Sequence, residues 1–178
     1  MFSMIEEEVR DRMYSFLNKL LVPALIIIFI AGCAQKEAST PLPIELTSEH
    51  SCTVCGMITV NIPGARAQIH YSNGDIFPFC CTSHMFSYYL QPDSPPNVTA
   101  IYVNDMANAE ENIPIGAWID AKMAFYVFGG DVMGPHGEAL APFAELKDAE
   151  GYVKDHGGKI VGFDDVTMKM LRPDAYEH

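Results

Sequence analysis

Two stretches of this chain repeat one pattern, and the repeat restricts the folds open to it. Gly74-Asp75-Ile76-Phe77-Pro78-Phe79 and Gly137-Glu138-Ala139-Leu140-Ala141-Pro142-Phe143 each begin with a turn and end in Pro-Phe. A helical pattern follows each time, with Phe86, Tyr89 and Leu90 spaced for one face in the first copy and Leu146, Ala149 and Val153 in the second. Tyr88 and Tyr152 fall at the same distance from their Pro-Phe pairs. Gln91-Pro92 stops the first helix and His156-Gly157-Gly158 the second, as a proline and a glycine C-cap do. A strand-like run closes each copy, Thr99 to Val103 and Lys159 to Phe163, and Ala65 to Tyr71 and Ala124 to Phe128 read as strands leading into the turns. The pattern predicts an α+β protein of two similar β-β-α-β modules, residues 50–110 and 111–178. Each is too small to bury a helix face well alone, so the two should pack together. Neither has a phosphate-cradling loop, since Gly129-Gly130 and Gly157-Gly158 lack the helix start and lysine that follow in one.

The N-terminus reads as an export device. Leu20 to Ile30 is an unbroken apolar run preceded by Arg10, Arg12 and Lys19, about half the length of the roughly 20 residues a spanning helix needs. It ends in Ile30-Ala31-Gly32-Cys33, the form of a bacterial lipoprotein cleavage site, so residues 1–32 are predicted to be a lipoprotein signal peptide and Cys33 the lipidated first mature residue. Glu6-Glu7-Glu8 is out of place in a region that ought to be basic, and a start at Met13 would remove it. Ala34 and Gln35 follow the cysteine with no aspartate to retain the lipoprotein at an inner membrane, which favours the periplasmic face of the outer membrane. Residues 33–49 are polar and proline-punctuated and read as a flexible tether. The formal charge of −12, of which the leader supplies −1, argues against nucleic acid, whose phosphates need a basic face.

The chemistry is concentrated in Cys52-Thr53-Val54-Cys55-Gly56-Met57. Thiolate and thioether donors suit copper(I), whereas zinc rarely takes a methionine sulfur, so Met57 beside Cys55 tilts the choice. Gly56 to Val60 is rich in β-branched residues and reads as a strand, which would put Cys55 and Met57 on one face. A thioredoxin-type site would need a helix there. A zinc ribbon would want a second spaced pair, but the other thiols, Cys80 and Cys81, are adjacent. The four cysteines left after Cys33 allow three full disulfide connectivities that sequence cannot rank.

The second module offers a complementary half-site in the glycine-rich loop 130–137, where Met133 supplies a thioether and His136 an imidazole. His84 lies four residues after Cys80 and could pair with it on a helical face, although a solvated histidine beside partly buried cysteines is the favoured reading. Asp164-Asp165 reads as the cap of a helix from Val166 to Leu171. No triad or carboxylate pair stands in a catalytic context, so a binding protein is expected rather than an enzyme.

Taken in order, these motifs give the chain a form that resembles the NosL family. The resemblance rests on Cys52-x-x-Cys55-Gly56-Met57, on Phe79-Cys80-x-Thr82 running into Met85-Phe86-x-x-Tyr89-Leu90-Gln91-Pro92, on Trp118-x-Asp120-Ala121, on Met133-Gly134-Pro135 before Gly137 and Pro142-Phe143, and on His156-Gly157-Gly158. It implies a fold of two β-β-α-β modules and a membrane-tethered copper(I) chaperone that delivers its ion to nitrous oxide reductase and its maturation machinery. It also implies copper(I) ligands at Cys55 and Met57, with a further sulfur from the Met-Gly loop. That loop usually looks like Met-Gly-Pro-Met-Gly, and here His136 stands where the second methionine would be. Either the imidazole substitutes for the thioether or Met133 takes over. The alternative is a membrane-tethered thiol enzyme, a disulfide reductase or an organometal-cleaving enzyme whose fold resembles NosL.

Overall fold

The computed structural model describes residues 13, 40–107 and 116–171. The leader and Cys33 lie outside the described residues. The described residues from 40 to 171 belong to one compact unit, which holds both modules. Among the described residues no helix is long and apolar enough to cross a membrane.

The expected duplication is present in the topology. In the first module β1 (Ala67–Tyr71), β2 (Ile76–Phe79), α1 (Thr82–Tyr89) and β3 (Val98–Asn104) follow in order, and β1 sits between β2 and β3 with both pairings antiparallel. β4 (Trp118–Asp120) then pairs with the outer edge of β3. In the second module β5 (Phe125–Gly134), β6 (Gly137–Phe143), α2 (Leu146–His156) and β7 (Lys159–Val161) repeat the plan, with β5 between β6 and β7. In sequence β4 falls after the expected module boundary, yet its hydrogen bonds place it in the first sheet, with Tyr102 opposite Asp120 and Asn104 opposite Trp118.

The central strands explain how two small modules share a core. β1 is buried along its whole length, and its alternate residues Ala67, Ile69 and Tyr71 enter the main core with Phe79, Met85, Phe86 and Ile101. β5 serves both sides of its sheet. Tyr126 packs edge-on to Phe86 in the main core, while its neighbour Val127 points into a second cluster with Ala141, Phe143 and Ala149 beneath α2. Phe163 closes the main core against Phe86 and Tyr89. In α1 the buried residues are Thr82, Met85, Phe86 and Ser87, with Tyr89 half-buried against the core. Leu146, spaced for the inward face of α2, opens that helix and is 43% exposed.

Several local expectations are corrected. The described part of the expected tether is docked: the fully buried Gln68 amide accepts from Ile44 N–H at 3.0 Å and donates to Ile44 C=O at 2.9 Å, and Tyr102 Oη donates to Pro41 C=O at 2.7 Å. A buried amide needs such partners, and here the chain preceding the first module supplies them. Gly56 to Val60 is not a strand. Ser51 and Ile58 form an isolated bridge and Thr59–Asn61 a 3₁₀ turn, because Gly56 at φ 73° closes the chain into a loop that an extended segment would leave open. The glycine-rich loop 130–137 is the end of a hairpin, in which Met133 pairs with Glu138 and Gly134 with Gly137, leaving Pro135 and His136 as the two-residue turn. Asp164 and Asp165 lie within a 3₁₀ turn, Phe163–Asp165, and Asp165 accepts from Gly162 N–H at 2.9 Å, so the helix after it, α3 (Met168–Leu171), starts later than expected.

Candidate metal centre

Three separate segments converge on the sulfur of Cys80. The first is the Cys52–Met57 loop, closed by Cys52 N–H donating to Met57 C=O and Gly56 N–H donating to Cys52 C=O, each at 2.8 Å. Thr53 fixes the loop to the end of β2, donating to Pro78 C=O from its backbone at 2.9 Å and from its hydroxyl at 3.0 Å. The second segment is the junction of β2 and α1. Cys81 caps the helix in extended conformation, its sulfur accepting from His84 N–H at 3.4 Å. Thr82 donates its hydroxyl to Leu140 C=O and so ties this junction to β6. The third is the hairpin turn that carries His136.

The donor atoms stand close together. Cys80 Sγ lies 3.4 Å from His84 Nδ1, 3.5 Å from His136 Nε2 and 3.7 Å from Cys55 Sγ, and Cys52 Sγ lies 3.6 Å from His84 Nδ1. The His84 and His136 rings stack with centroids 4.0 Å apart. Two quartets result, Cys52–Cys55–Cys80–His84 and Cys80–Cys81–His84–His136, each with its ligand atoms within 4.8 Å of one another. Around a tetrahedral ion with the usual metal–sulfur and metal–nitrogen lengths, neighbouring ligand atoms are roughly 3.3–3.8 Å apart. The four contacts just given fall in that range, and the other ligand atoms of each quartet lie within 4.8 Å, so the niche has the spacing of a site that could close on a metal ion.

Burial is graded across the cluster. Cys52, Cys80 and Cys81 are buried, Cys55 and His84 half-buried, and His136 exposed at the rim. None of the four described cysteines is disulfide-bonded. The thiols share their protons unevenly. The hydrogen bond from Cys80 holds Cys52 well below the ordinary thiol range, against the opposing effect of burial, and lowers Cys81 as well, while Cys80, serving both neighbours, is raised. His136 is pushed below the usual imidazole value by desolvation and then by His84, which leaves one ring nitrogen without a proton at neutral pH. Thiolate and neutral imidazole in a largely buried niche are the states a metal ion requires of its ligands.

Of the residues singled out in the sequence, Cys55 and His136 both reach Cys80, but they fall in different quartets. Met57 stands on the Cys55 loop and is 38% exposed. Met133, 67% exposed, lines a cavity of about 260 Å³ that also reaches Cys81, Pro135, Leu140 and Tyr152. Sequence alone assigns Cys52, Cys80, Cys81 and His84 a lesser part than the structure does. The four-residue spacing from Cys80 to His84 is the visible sign of their partnership. Nothing local in the sequence announces that the Cys52 loop folds back over it.

Fold and site together define a class: a twin-module α+β protein with a Cys/His niche, spaced as metal ligands are, between a thiol loop, a helix N-terminus and a hairpin tip. The profile of the NosL family matches residues 43–171. The chain is 33% identical over 158 residues to the copper-binding lipoprotein NosL of Stutzerimonas stutzeri, a match covering 87% of this chain and 83% of that protein. It is 30% identical over 159 residues to the copper-binding lipoprotein NosL of Achromobacter cycloclastes, covering 86% and 82%. The crystal structure of the copper chaperone NosL from Shewanella denitrificans superimposes with a TM-score of 0.67 at 31% identity, over 71% of this chain and 96% of that one. The chain belongs to the NosL family.

Proposed function

We propose that this protein is a copper chaperone that carries copper(I) in the Cys/His niche and delivers it to nitrous oxide reductase through that enzyme's maturation machinery. The observation that carries the reading is the convergence of four unbridged thiols and two imidazoles on one spot, in a family whose members are named for copper. Soft thiolates select a soft monovalent ion, and imidazole is acceptable to it. Cys55 is the pivotal ligand, since it is the half-buried thiol that can pass the ion between solvent and the buried sulfurs. Met57 on the same loop and Met133 near Cys81 supply thioethers at the rim, where they can hold copper as it enters or leaves. A thioether has no proton to lose and forms no disulfide, so such donors suit exchange in an oxidising compartment. His136 takes the place of the family's second loop methionine. Lipidation at Cys33 would tether the carrier to the periplasmic face of the outer membrane.

Anaerobic titration with copper(I) against a chromogenic chelator tests the assignment. Cys55→Ser should weaken the tightest equivalent by about 100-fold or more, since losing even an outer partner of a metal ligand costs up to that much. Wild-type affinity in that variant would remove Cys55 from the site. A second reading, a tethered thiol enzyme, draws on the closeness of Cys55 to Cys80 and the lowered Cys52 thiol. Catalytic reduction of a disulfide, or cleavage of a carbon–metal bond, by protein that binds no copper would favour it.

A further inference from the structure

We propose that Cys55 and Cys80 form a reversible dithiol/disulfide couple, a thiol–disulfide exchange site whose oxidised form closes the niche to copper. The couple stands on geometry alone, and its effect on copper rests on the copper reading above.

Two backbone segments carry these cysteines past each other. Thr53 stands two residues before Cys55 and Pro78 two before Cys80, and Thr53 donates to Pro78 C=O from its N–H at 2.9 Å and from its hydroxyl at 3.0 Å. This pairing holds the segments side by side just upstream of the thiols, and the two sulfurs end 3.7 Å apart. They must close by about 1.6 Å to reach the roughly 2.05 Å of a disulfide bond. Exposure gives the two thiols unequal tasks. Cys55 is half-buried and open to a reagent from solvent, whereas Cys80, at 0% exposure, can be reached only from within the protein. Cys52 and Cys81 are buried as well, so Cys55 is the entry thiol of the cluster.

The exchange takes two steps, with an external disulfide as the oxidant. The Cys55 thiolate attacks one sulfur of that disulfide, forming a mixed disulfide and expelling the other sulfur as a thiolate. The Cys80 sulfur then attacks Cys55 Sγ, so the Cys55–Cys80 bond forms and the second external sulfur leaves. The oxidant takes up two electrons and the two protons of the cysteine thiols, and departs as two thiols. Reduction is the reverse, with a small thiol or a protein dithiol entering at Cys55.

The effect on the niche follows from the place of Cys80. It belongs to both quartets of ligand atoms, so one disulfide withdraws a thiolate from each, and two from the quartet that contains Cys55. A disulfide sulfur carries no negative charge and no longer offers the thiolate that copper(I) selects.

The sequence provides a clean assay. Arg66 is the only lysine or arginine between Lys36 and Lys122, so trypsin places Cys52 and Cys55 on one peptide and Cys80 and Cys81 on another. The metal-free full chain is equilibrated without oxygen in mixtures of glutathione and glutathione disulfide, blocked with iodoacetamide, digested and mapped by mass spectrometry. Wild type and Cys52→Ser should both yield the two peptides joined, and Cys55→Ser should not. Cys55 lies on a half-exposed loop, so its variant carries the test even if Cys52→Ser does not fold. Wild-type peptides that stay unjoined at every mixture, a bond between Cys52 and Cys55 in their place, or joined peptides persisting in Cys55→Ser would overturn the couple. Parallel unblocked samples, freed of glutathione, are titrated with copper(I) against a chelator. The oxidised protein should bind at least about tenfold more weakly than the reduced one, since losing even an outer partner of a metal ligand costs that much, and treatment with dithiothreitol should restore the affinity. Equal affinity in the two forms would overturn the closure. Joined peptides in a protein that binds no copper even when reduced would leave the couple standing and remove the copper reading.

Discussion

Cys80 becomes the hub because two local facts coincide at that residue. It follows the last residue of β2, so its position is fixed by the sheet, and it precedes the helix cap Cys81, so its sulfur faces the first turn of α1 where His84 stands. Part of this is legible from sequence. Cys55 and His136 are visible as candidates because they sit in a CxxC and in a tight glycine-flanked turn. The role of Cys80 and Cys52 is not, because it depends on a contact between residues 25 apart, Cys55 and Cys80, that periodicity does not encode. A buried histidine outside the niche has a different task. His70 lies in β1 at 3% exposure, hydrogen-bonded to Gln68 Oε1 at 2.8 Å and edge-on to Tyr102. Burial pushes its imidazole below the ordinary value, so the fold holds it neutral. Between that lowered value and the unfolded pKa of about 6.5 the unfolded chain binds more protons, and stability falls as pH drops through the window. The apo protein should therefore melt at a lower temperature at pH 5 than at pH 7.5, and His70→Gln should lose part of that dependence. An unchanged pH slope in His70→Gln would show that His70 does not contribute.

At the scale of elements, the duplication is legible because strands and helices announce themselves by period, and the turn-Pro-Phe-helix sequence recurs. Two of the segments that depart from expectation, Gly56–Val60 and the 130–137 loop, turn on glycine. A positive-φ glycine breaks an otherwise strand-like run at Gly56, while hairpin pairing across Gly134 and Gly137 orders what composition alone presents as a loop. Glycine also sets how closely α2 and its sheet approach. Gly158 turns the chain into β7 at φ 90°, and a Cβ there would meet Phe128 C=O at 2.8 Å. Gly158→Ala should destabilise the protein by about 2 kcal/mol, combining positive-φ strain with the overlap. Gly151, inside α2 with nothing within 4 Å of its virtual Cβ, should behave oppositely, with Ala adding up to about 1 kcal/mol of helix propensity. Chemical denaturation of the two variants checks both signs. A neutral Gly158→Ala would mean that the close approach relaxes without cost.

For the whole molecule, the niche draws on both modules. Its thiols come from the first and His136 from the second, and the Thr82 to Leu140 hydrogen bond joins the two beside it. The overall α+β plan is legible in the sequence because each module repeats it. The docking of residues 40–49 is not, since a polar, proline-containing stretch looks alike whether it floats or satisfies a buried amide such as Gln68. The charge of −12 gives the carrier an acidic surface suited to attracting cations and unsuited to nucleic acid. Whether copper(I) is the cargo and cysteine sulfur its holder is decided by copper K-edge X-ray absorption on the anaerobically loaded protein. The expected spectrum has a copper(I) edge and a first shell dominated by sulfur with a minor imidazole contribution, the sulfur component falling in Cys55→Ser. A shell of nitrogen and oxygen alone, or a sulfur shell that Cys55→Ser leaves unaltered, would rule out a cysteine-held copper(I) cargo.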